Sequence, residues 1–370
     1  MAKRGPGRRL RTAGVGLALA CAVLSAYAGL VAWRSDAAVD LPHPAGGYRV
    51  GRVEDTATDV GRGGRQLSIW TWYPAVAGTG KVAAYAPGQW GGLAIGLPLG
   101  ETKLDRVHDA AREQATPAPG RFPVVVLLPG LGFAAPQYAV LAEDVASRGY
   151  IVVGVTPTGS ANLTVLNGRP IGPTAEGNPS DFAGDQTAHD RAIAQRLLSV
   201  WVGDARFAAN TAASLTESST LATNVDRSRL AYVGHSFGGT TALQACHDDS
   251  PCKAAINLDG ALFGSVATGG LEVPTLLLGH DGSCITGDCH PGSAADRADV
   301  AAARNYVSAS TGPVRRATVP RTGHLNFSDD GIYYWAWPLR TLLGLGPADG
   351  RRVLVRTGAL IAGTLHDAGV

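Results

Sequence analysis

The sequence predicts an α/β fold in which a mostly parallel central sheet carries helices on both faces. From Phe122 onwards, short continuous apolar runs alternate with helical patterns, and short loops join them. Such runs are typical of strands buried on both faces, and their alternation with helices favours parallel pairing. In a sheet of this kind, ligands bind at the edge formed by the carboxyl ends of the strands. The residues that follow each strand are therefore the first candidates for a functional site.

Predicted strands and helices alternate along most of the chain. Strands are predicted at residues 66–73, 123–128, 150–155, 229–233, 254–258, 274–279 and 314–319. Helices are predicted at residues 133–148, 185–213, 237–246 and 294–308. The longest of these helices is expected to break or bend near Gly203. A polar segment at residues 101–114 is a further candidate helix.

Residues 1–40 are predicted to be a signal peptide or a membrane anchor, and residues 41–370 a single folded domain. Five basic residues in the first eleven positions precede an uncharged, mostly apolar stretch from Thr12 to Trp33. As a helix this stretch would be about 33 Å long, enough to cross a bilayer. The basic flank stays in the cytoplasm, so the rest of the chain is expected outside it. Cleavage at Ala26-Tyr27-Ala28 would release the domain, and an uncleaved helix would anchor it.

Four of the five cysteines form two close pairs, Cys246 with Cys252 and Cys284 with Cys289. In an oxidising compartment these pairs predict two short-loop disulfides, in agreement with export. Their spacings lack the paired C-x-x-C pattern of zinc sites, so no metal is expected. The net charge of +2 is small, and five of the 32 lysine and arginine residues lie in the first eleven positions, ahead of the folded part. A nucleic-acid partner is therefore not expected.

The segment Gly234-His235-Ser236-Phe237-Gly238 fits the G-x-S-x-G pattern of a nucleophile elbow. An elbow turns sharply from a strand into a helix, and small residues on either side of the serine prevent steric clashes. The context agrees, because an apolar run precedes the segment and a helical pattern follows it. Ser236 is therefore the candidate nucleophile.

A serine nucleophile needs a base and an acid that orients the base. His324 follows the last predicted strand by a short loop and is the leading base among the nine histidines. Two aspartates compete for the acid, since Asp259 ends the strand at residues 254–258 and Asp281 ends the next one. Position alone favours Asp281, because many hydrolases of this architecture take their acid from the later strand.

Six motifs together resemble those of the plasma-type platelet-activating factor acetylhydrolases and their bacterial relatives, which have the α/β-hydrolase fold. The similarity extends from residue 41 to about residue 340. In order, the motifs are LPHPAGGYRVG at 41–51, WYP at 72–74, GLG at 130–132, GHSFGG at 234–239, LDG at 258–260 and GHLNFSD at 323–329.

The resemblance implies a Ser236–His324–Asp259 triad, because the family's acid lies in a Leu-Asp motif and its histidine in a His-x-Asn-Phe motif. Asp281 remains the alternative acid. The fold implies an oxyanion hole formed by the backbone N–H groups of Phe237 and Leu131. One departure concerns this hole, since Pro129 stands where the family usually has histidine before Gly-Leu-Gly. A surface protein that keeps the fold without turnover is the competing interpretation.

These features together predict an extracytoplasmic carboxylic ester hydrolase that uses neither a cofactor nor a metal. The resemblance implies short-acyl lipid or phospholipid esters as substrates. A cutinase-like or polyester-cleaving hydrolase is the alternative, since it shares the elbow and the exported context. The N-terminal segment implies contact with the cell membrane, either as a permanent anchor or until cleavage. Apolar residues near the site, among them Phe133, Phe263 and Trp335, are candidates for an acyl pocket.

Overall fold

A computed structural model of the chain describes residues 6–93, 100–211, 221–249 and 251–370, and for residues 6–14 and 222 it describes the backbone alone. Lys3 and Arg4 of the basic flank lie outside the described residues. Ala213, the predicted end of the long helix, also lies outside them.

The observed elements closely follow the predicted order. The strands are β1 (Val39–Asp40), β2 (Arg49–Asp59), β3 (Arg65–Ala75), β4 (Lys81–Val82), β5 (Val107–His108), β6 (Arg112–Glu113), β7 (Phe122–Leu128), β8 (Ile151–Thr156), β9 (Thr164–Leu166), β10 (Arg169–Ile171), β11 (Val225–His235), β12 (Cys252–Leu258), β13 (Thr275–His280) and β14 (Val314–Val319). The α-helices are α1 (Pro6–Ser35), α2 (Ala139–Ser147), α3 (Ala188–Thr211), α4 (Phe237–Asp248), α5 (Val266–Gly269), α6 (Ala294–Ala309), α7 (Leu339–Leu342) and α8 (Gly350–Asp367).

The main sheet has ten strands in the order β14-β13-β12-β11-β7-β8-β3-β2-β6-β4. From β14 to β8 every neighbouring pair is parallel. The strands β3 and β2 extend the sheet in antiparallel fashion beyond β8. The α/β class with a mostly parallel sheet is confirmed.

Helices cover both faces of this sheet, so each central strand is buried on both sides. Alternate residues of β7 show the division. Val124 and Val126 belong to the core beneath α3 and α4, and Val125 and Leu127 belong to the core beneath α2 and α8. Two buried faces explain why the strand sequence is a continuous apolar run rather than an alternating one.

The parallel register aligns the carboxyl ends of five neighbouring strands. Leu128 of β7 pairs with Gly234 of β11, and His235 pairs with Leu258 of β12. Farther along the edge, His280 of β13 pairs with Val319 of β14. The loops that carry the elbow serine, both candidate acids and the candidate base therefore all leave the same edge of the sheet.

Two local predictions were wrong. The predicted break at Gly203 is absent, since α3 runs through this residue as one helix. Gly203 instead has a packing role, because a side chain at this position would collide with the guanidinium of Arg62. The glycine makes room for Arg62, which forms an ion pair with Asp204 at 2.8 Å. The segment at residues 101–114 is not an α-helix; it contains a short 3-10 turn and the strands β5 and β6, which pair with β1 and β2.

Both cysteine pairs are joined in the structure. The Cys246–Cys252 disulfide closes the turn between α4 and β12, and the Cys284–Cys289 disulfide closes the loop after β13. Helix α1 includes a stretch, Val15–Ser35, that is long and apolar enough to cross a membrane. These features are consistent with a secreted or membrane-anchored protein.

Candidate active site

Ser236 lies at the sharp turn between β11 and α4, as the elbow motif predicts. Its backbone has φ 54° and ψ −126°, a strained conformation for a residue with a side chain. A Cβ at Gly234 would collide with the backbone of Gly238, and one at Gly238 would collide with the carbonyl of Pro129. The two glycines are therefore steric requirements of the turn that exposes the serine hydroxyl.

The hydroxyl of Ser236 lies within hydrogen-bond distance of His324, 2.9 Å from its Nε2. The other ring nitrogen of His324, Nδ1, lies 2.6 Å from Oδ2 of Asp259. The structure thus brings three of the predicted site residues into one hydrogen-bonded line. A carboxylate on Nδ1 leaves Nε2 free to accept a proton from the serine.

Asp259 is the buried member of this line, with only 1% of its side chain exposed. Burial alone would raise the pKa of this carboxyl, but hydrogen bonds from His280 and His324 outweigh burial and hold the pKa well below its usual range. The backbone of Asp259 has a φ of 60° and donates from its N–H to the carbonyl of Leu278 at 2.8 Å. Asp259 therefore carries a fixed negative charge in the buried part of the site.

Asp281, the alternative acid, occupies a different position. Its Oδ2 accepts a hydrogen bond from the backbone N–H of Arg321 at 2.8 Å, and its own N–H donates to the Thr322 hydroxyl at 3.3 Å. Asp281 is exposed and steadies the loop that leads to His324. The structure brings Asp259, and not Asp281, to the imidazole.

The segment that carries His324 is held by two buried polar side chains. Asn326 accepts hydrogen bonds from the N–H groups of Gly323 and Gly346 at 2.8 and 2.7 Å. Asp329 accepts from the N–H of Ala139, at the start of α2, at 2.9 Å. These contacts hold the segment that bears the imidazole of His324. They explain why the GHLNFSD motif contains polar residues.

A chain of hydrogen bonds connects the loop after β7 to the His324 segment. The N–H of Gly130 donates to the hydroxyl of Tyr138 at 2.9 Å, and this hydroxyl donates to Nδ1 of His235 at 2.8 Å. Nε2 of His235 donates to the carbonyl of His324 at 3.0 Å. Burial, followed by the charge of His324, lowers the pKa of His235 to about 3, so the ring is neutral and these donor roles are consistent. Tyr138 and His235 thus support the loop next to Pro129.

The candidate oxyanion-hole residues lie beside the nucleophile. Phe237 is the first residue of α4, where backbone N–H groups have no partner within the helix. Gly130 approaches the serine closely, since a Cβ placed on it would lie 3.2 Å from the Cβ of Ser236. Leu131 follows Gly130, and both Leu131 and Phe237 line the cleft over Ser236.

This cleft has a volume of about 410 Å³ and opens onto Ser236 and His324. Three phenylalanines, Phe182, Phe237 and Phe263, contribute an apolar wall. The disulfide-closed loop after β13 also lines the cleft, as do Asp296 and Asp299 of α6. Of the residues expected to form an acyl pocket, Phe263 lines the cleft, whereas Phe133 and Trp335 line a second cavity of about 410 Å³ behind Gly132.

His280 is a site residue that none of the sequence motifs singles out. Its Nδ1 lies 2.6 Å from the same Oδ2 of Asp259 that contacts His324, and its backbone N–H donates to Oδ1 at 3.1 Å. The signal that could have found it is its position at the end of the strand beside that of Asp259. Burial lowers the pKa of His280, but the Asp259 hydrogen bond and charge outweigh this effect and raise it above its usual value.

Asp259, His280 and His324 also place one carboxylate oxygen and two imidazole nitrogens within 4.8 Å of one another. Such a group has the donor types of a metal site. Here, however, both Nδ1 atoms lie at hydrogen-bond distance from a single oxygen, and the free nitrogen of His324 contacts Ser236. The contacts fit a hydrogen-bonded acid–base cluster.

Comparison with protein families and curated proteins relates the chain to ester hydrolases. Residues 204–334 match the model of the PETase family, described as PET hydrolase-like. A platelet-activating factor acetylhydrolase from Canis lupus familiaris is 29% identical over 155 residues, covering 38% of this chain and 35% of that protein. A probable 1-alkyl-2-acetylglycerophosphocholine esterase from Arthroderma benhamiae is 27% identical over 150 residues, covering 40% of this chain and 34% of the relative.

Comparison with solved structures covers more of the molecule. A ferulic acid esterase from Streptomyces cinnamoneus superposes with a TM-score of 0.70 at 26% sequence identity, covering 89% of this chain and 92% of that one. The sequence alignments span about a third of the length of the curated relatives. The chain is a relative of the α/β-hydrolase esterases, and the predicted fold is confirmed.

The neutral, buried His235 makes stability depend on pH. Its folded pKa of about 3 lies below the unfolded value near 6.5, so the unfolded chain takes up this proton first as the pH falls. The resulting stabilisation is complete above about pH 6.5 and is lost below it. We expect the free energy of unfolding to fall more steeply between about pH 6 and pH 4 in the wild type than in His235→Gln, by about 1 kcal/mol per pH unit. Urea unfolding at several pH values measures how the free energy of unfolding depends on pH in both proteins. Equal slopes in the wild type and in His235→Gln would contradict a neutral His235.

Proposed function

We propose that the chain is a carboxylic ester hydrolase in which Ser236 is the nucleophile, His324 the base and Asp259 the acid. The observation that carries the proposal is the hydrogen-bonded line from the serine hydroxyl through the imidazole to the buried carboxylate. This line opens onto a cleft large enough for a small acyl group. The relationship to esterases agrees with the same chemistry.

The mechanism follows from these positions. His324 removes the proton from the Ser236 hydroxyl as its oxygen attacks the ester carbonyl, and the N–H groups of Leu131 and Phe237 stabilise the negative oxygen that forms. His324 then gives the proton to the departing alcohol, which leaves an acyl group on Ser236. Water attacks this acyl group with His324 again as base, and the carboxylic acid and free serine are released. Asp259 stabilises the imidazolium in both steps.

The two aspartates at neighbouring strand ends provide a matched test of the acid. Asp259→Asn removes the charge that orients His324, so we expect kcat for a nitrophenyl ester to fall by about three to four orders of magnitude. Asp281→Asn changes a loop contact alone, and we expect less than about a tenfold change. Steady-state kinetics of both purified variants, with circular dichroism as a folding control, measures these effects. A reversed order would move the acid to Asp281.

For the substrate, we propose short-acyl lipid or phospholipid esters. The acid after β12 matches the motif of the acetylhydrolase relatives, and the two curated relatives described above are named as an acetylhydrolase and an acetylglycerophosphocholine esterase. The small cleft volume and its phenylalanine wall also suit a short acyl group. A polyester-cleaving activity is the second candidate, because the PET hydrolase-like family matches residues 204–334, which include all three proposed catalytic residues.

A substrate panel separates these two candidates. We expect nitrophenyl acetate and butyrate to have kcat/KM values at least about tenfold above those of the octanoate and palmitate, because one extra methylene in a closed pocket already changes the rate about tenfold or more. A phospholipid with a short acyl group should be hydrolysed faster than a polyester film. Faster release of soluble products from the film, with little phospholipid hydrolysis, would favour the second candidate.

We also propose that helix α1 holds the domain at the cell membrane. The hydroxyl of Tyr27 donates to the carbonyl of Trp337 at 2.7 Å. The backbone N–H of Lys103 donates to the carbonyl of Ser35 at 3.0 Å. Beside these contacts, Trp337 and Leu342 expose 78% and 76% of their surface, as expected for apolar residues that meet lipid.

Fractionation of cells that produce the full chain tests the anchor. We expect the protein to stay in the membrane pellet after alkaline carbonate extraction, because a spanning helix resists a treatment that removes peripheral proteins. N-terminal sequencing should then find the helix intact. A soluble product that begins after Ala28 would show that the leader is cleaved.

A further inference from the structure

We propose that His280 is a positioning residue for Asp259. The carboxylate is shared between the imidazoles of His280 and His324, and this sharing keeps His324 available as a base at lower pH than a pair of Asp259 and His324 alone would. This inference rests on the proposed ester hydrolase function. His280 has no part in the three-residue mechanism above.

The geometry places three donors on one buried carboxylate. Nδ1 of His280 and Nδ1 of His324 both lie 2.6 Å from Oδ2 of Asp259. The backbone N–H of His280 donates to Oδ1 at 3.1 Å. The carboxylate is therefore held from two sides, by the strand end next to it and by the loop that bears the base. Of the two imidazoles that contact Oδ2 of Asp259, only that of His324 would remain if the His280 ring were removed.

The sheet fixes His280 between the other two members of the cluster. It is the last residue of β13, whose neighbours are β12, which leads to Asp259, and β14, which leads to His324. The disulfide between Cys284 and Cys289 closes the loop that follows. The ring of His280 is 31% exposed and lines the cleft, so it exchanges protons with solvent while it holds the acid.

The charges that face His280 favour the proton on this ring. Asp259 contacts it directly, and Asp281 is its neighbour in the chain; both raise its pKa above the usual value against the effect of burial. Asp296 and Asp299 on α6 line the same cleft, and burial raises the pKa of Asp299 to about 6, so its negative charge is lost as the pH falls through the acid range. His235, on the third side, is buried and neutral.

A proton on His280 opposes a proton on His324. The single charge of Asp259 is compensated by the first imidazolium, and the ring centroids of the two histidines are only 6.4 Å apart. A second imidazolium would therefore face a like charge with no carboxylate of its own. We therefore expect a proton on His280 to disfavour a proton on His324, which leaves Nε2 of His324 able to accept the serine proton.

Two substitutions separate the hydrogen bond from the charge. In His280→Asn the amide nitrogen stands where Nδ1 stands, so the donor to Asp259 remains and the ionisable ring is lost. In His280→Leu both are lost. His290→Leu is the matched control, because His290 is an exposed histidine that directly follows the disulfide-closed loop.

The readout is the pH dependence of kcat/KM for nitrophenyl acetate, measured with the full chain in detergent. We expect the acid limb of His280→Leu to lie about 0.5 to 1 pH unit above that of the wild type, with His280→Asn between them and His290→Leu unchanged. At the high-pH plateau we expect kcat of the Asn variant to stay within about tenfold of the wild type, because its donor still positions Asp259.

The outcomes are distinguishable. If the acid limbs of His280→Leu and His280→Asn lie at or below the pH of the wild-type acid limb, the inference is overturned and the proposed function stands. Equal shifts in His290→Leu also overturn it, since a distant charge then explains the effect. Absence of wild-type ester hydrolysis, or hydrolysis that survives Ser236→Ala, removes the proposed function and this inference together. If circular dichroism shows that His280→Leu does not fold, the position of the His280→Asn limb decides alone.

Discussion

The carboxylate of Asp259 is the group around which the site is arranged. It is buried at the carboxyl edge of the sheet, where an unpaired charge would carry a large desolvation cost. Hydrogen bonds from His324 and His280 and from a backbone N–H offset this cost. The burial that makes the charge costly also strengthens its interaction with the imidazole, since a low local dielectric increases electrostatic energies. The orientation of His324 towards Ser236 follows from this one interaction.

The parallel sheet brings these groups together from distant parts of the chain. Three strands that are neighbours in the sheet bring the site together: Ser236 follows β11, the proposed acid Asp259 follows β12, and His280 ends β13. The next strand, β14, leads to the proposed base, His324. A second set of contacts, from Gly130 through Tyr138 and His235 to the carbonyl of His324, connects the loop after β7 to the same edge. Pro129 therefore lies in a loop that is supported by a buried tyrosine and a neutral histidine.

Much of this arrangement could be predicted from local sequence. All seven predicted strands overlap observed ones. The central ones were recognisable because strands buried on both faces are continuous apolar runs. The spacing could not choose between Asp259 and Asp281, because both follow neighbouring strands. That choice depends on the backbone at Asp259, whose positive φ turns its carboxylate towards His324. His280 was missed for the same reason, because its contact exists only when two strands lie side by side.

Other errors came from packing between distant segments. Gly203 was expected to interrupt a helix, but the space it leaves is filled by Arg62 from a different part of the chain. The C-terminal helix α8 is absent from the predicted elements, although Val353, Leu354 and Ile361 form a buried stripe against the sheet core. Intrinsic preference is a weak predictor in both places, because tertiary contacts decide the outcome.

The central claim is that the buried charge of Asp259 acts through His324 to activate Ser236. The most direct test is to label the full chain with a fluorophosphonate and to locate the adduct by mass spectrometry. The account predicts one adduct on Ser236 in the wild type. It also predicts labelling slower by about a hundredfold or more in a folded His324→Ala variant, since a serine without its base is a weak nucleophile. An adduct on another serine, or equal labelling rates in the two proteins, would contradict it.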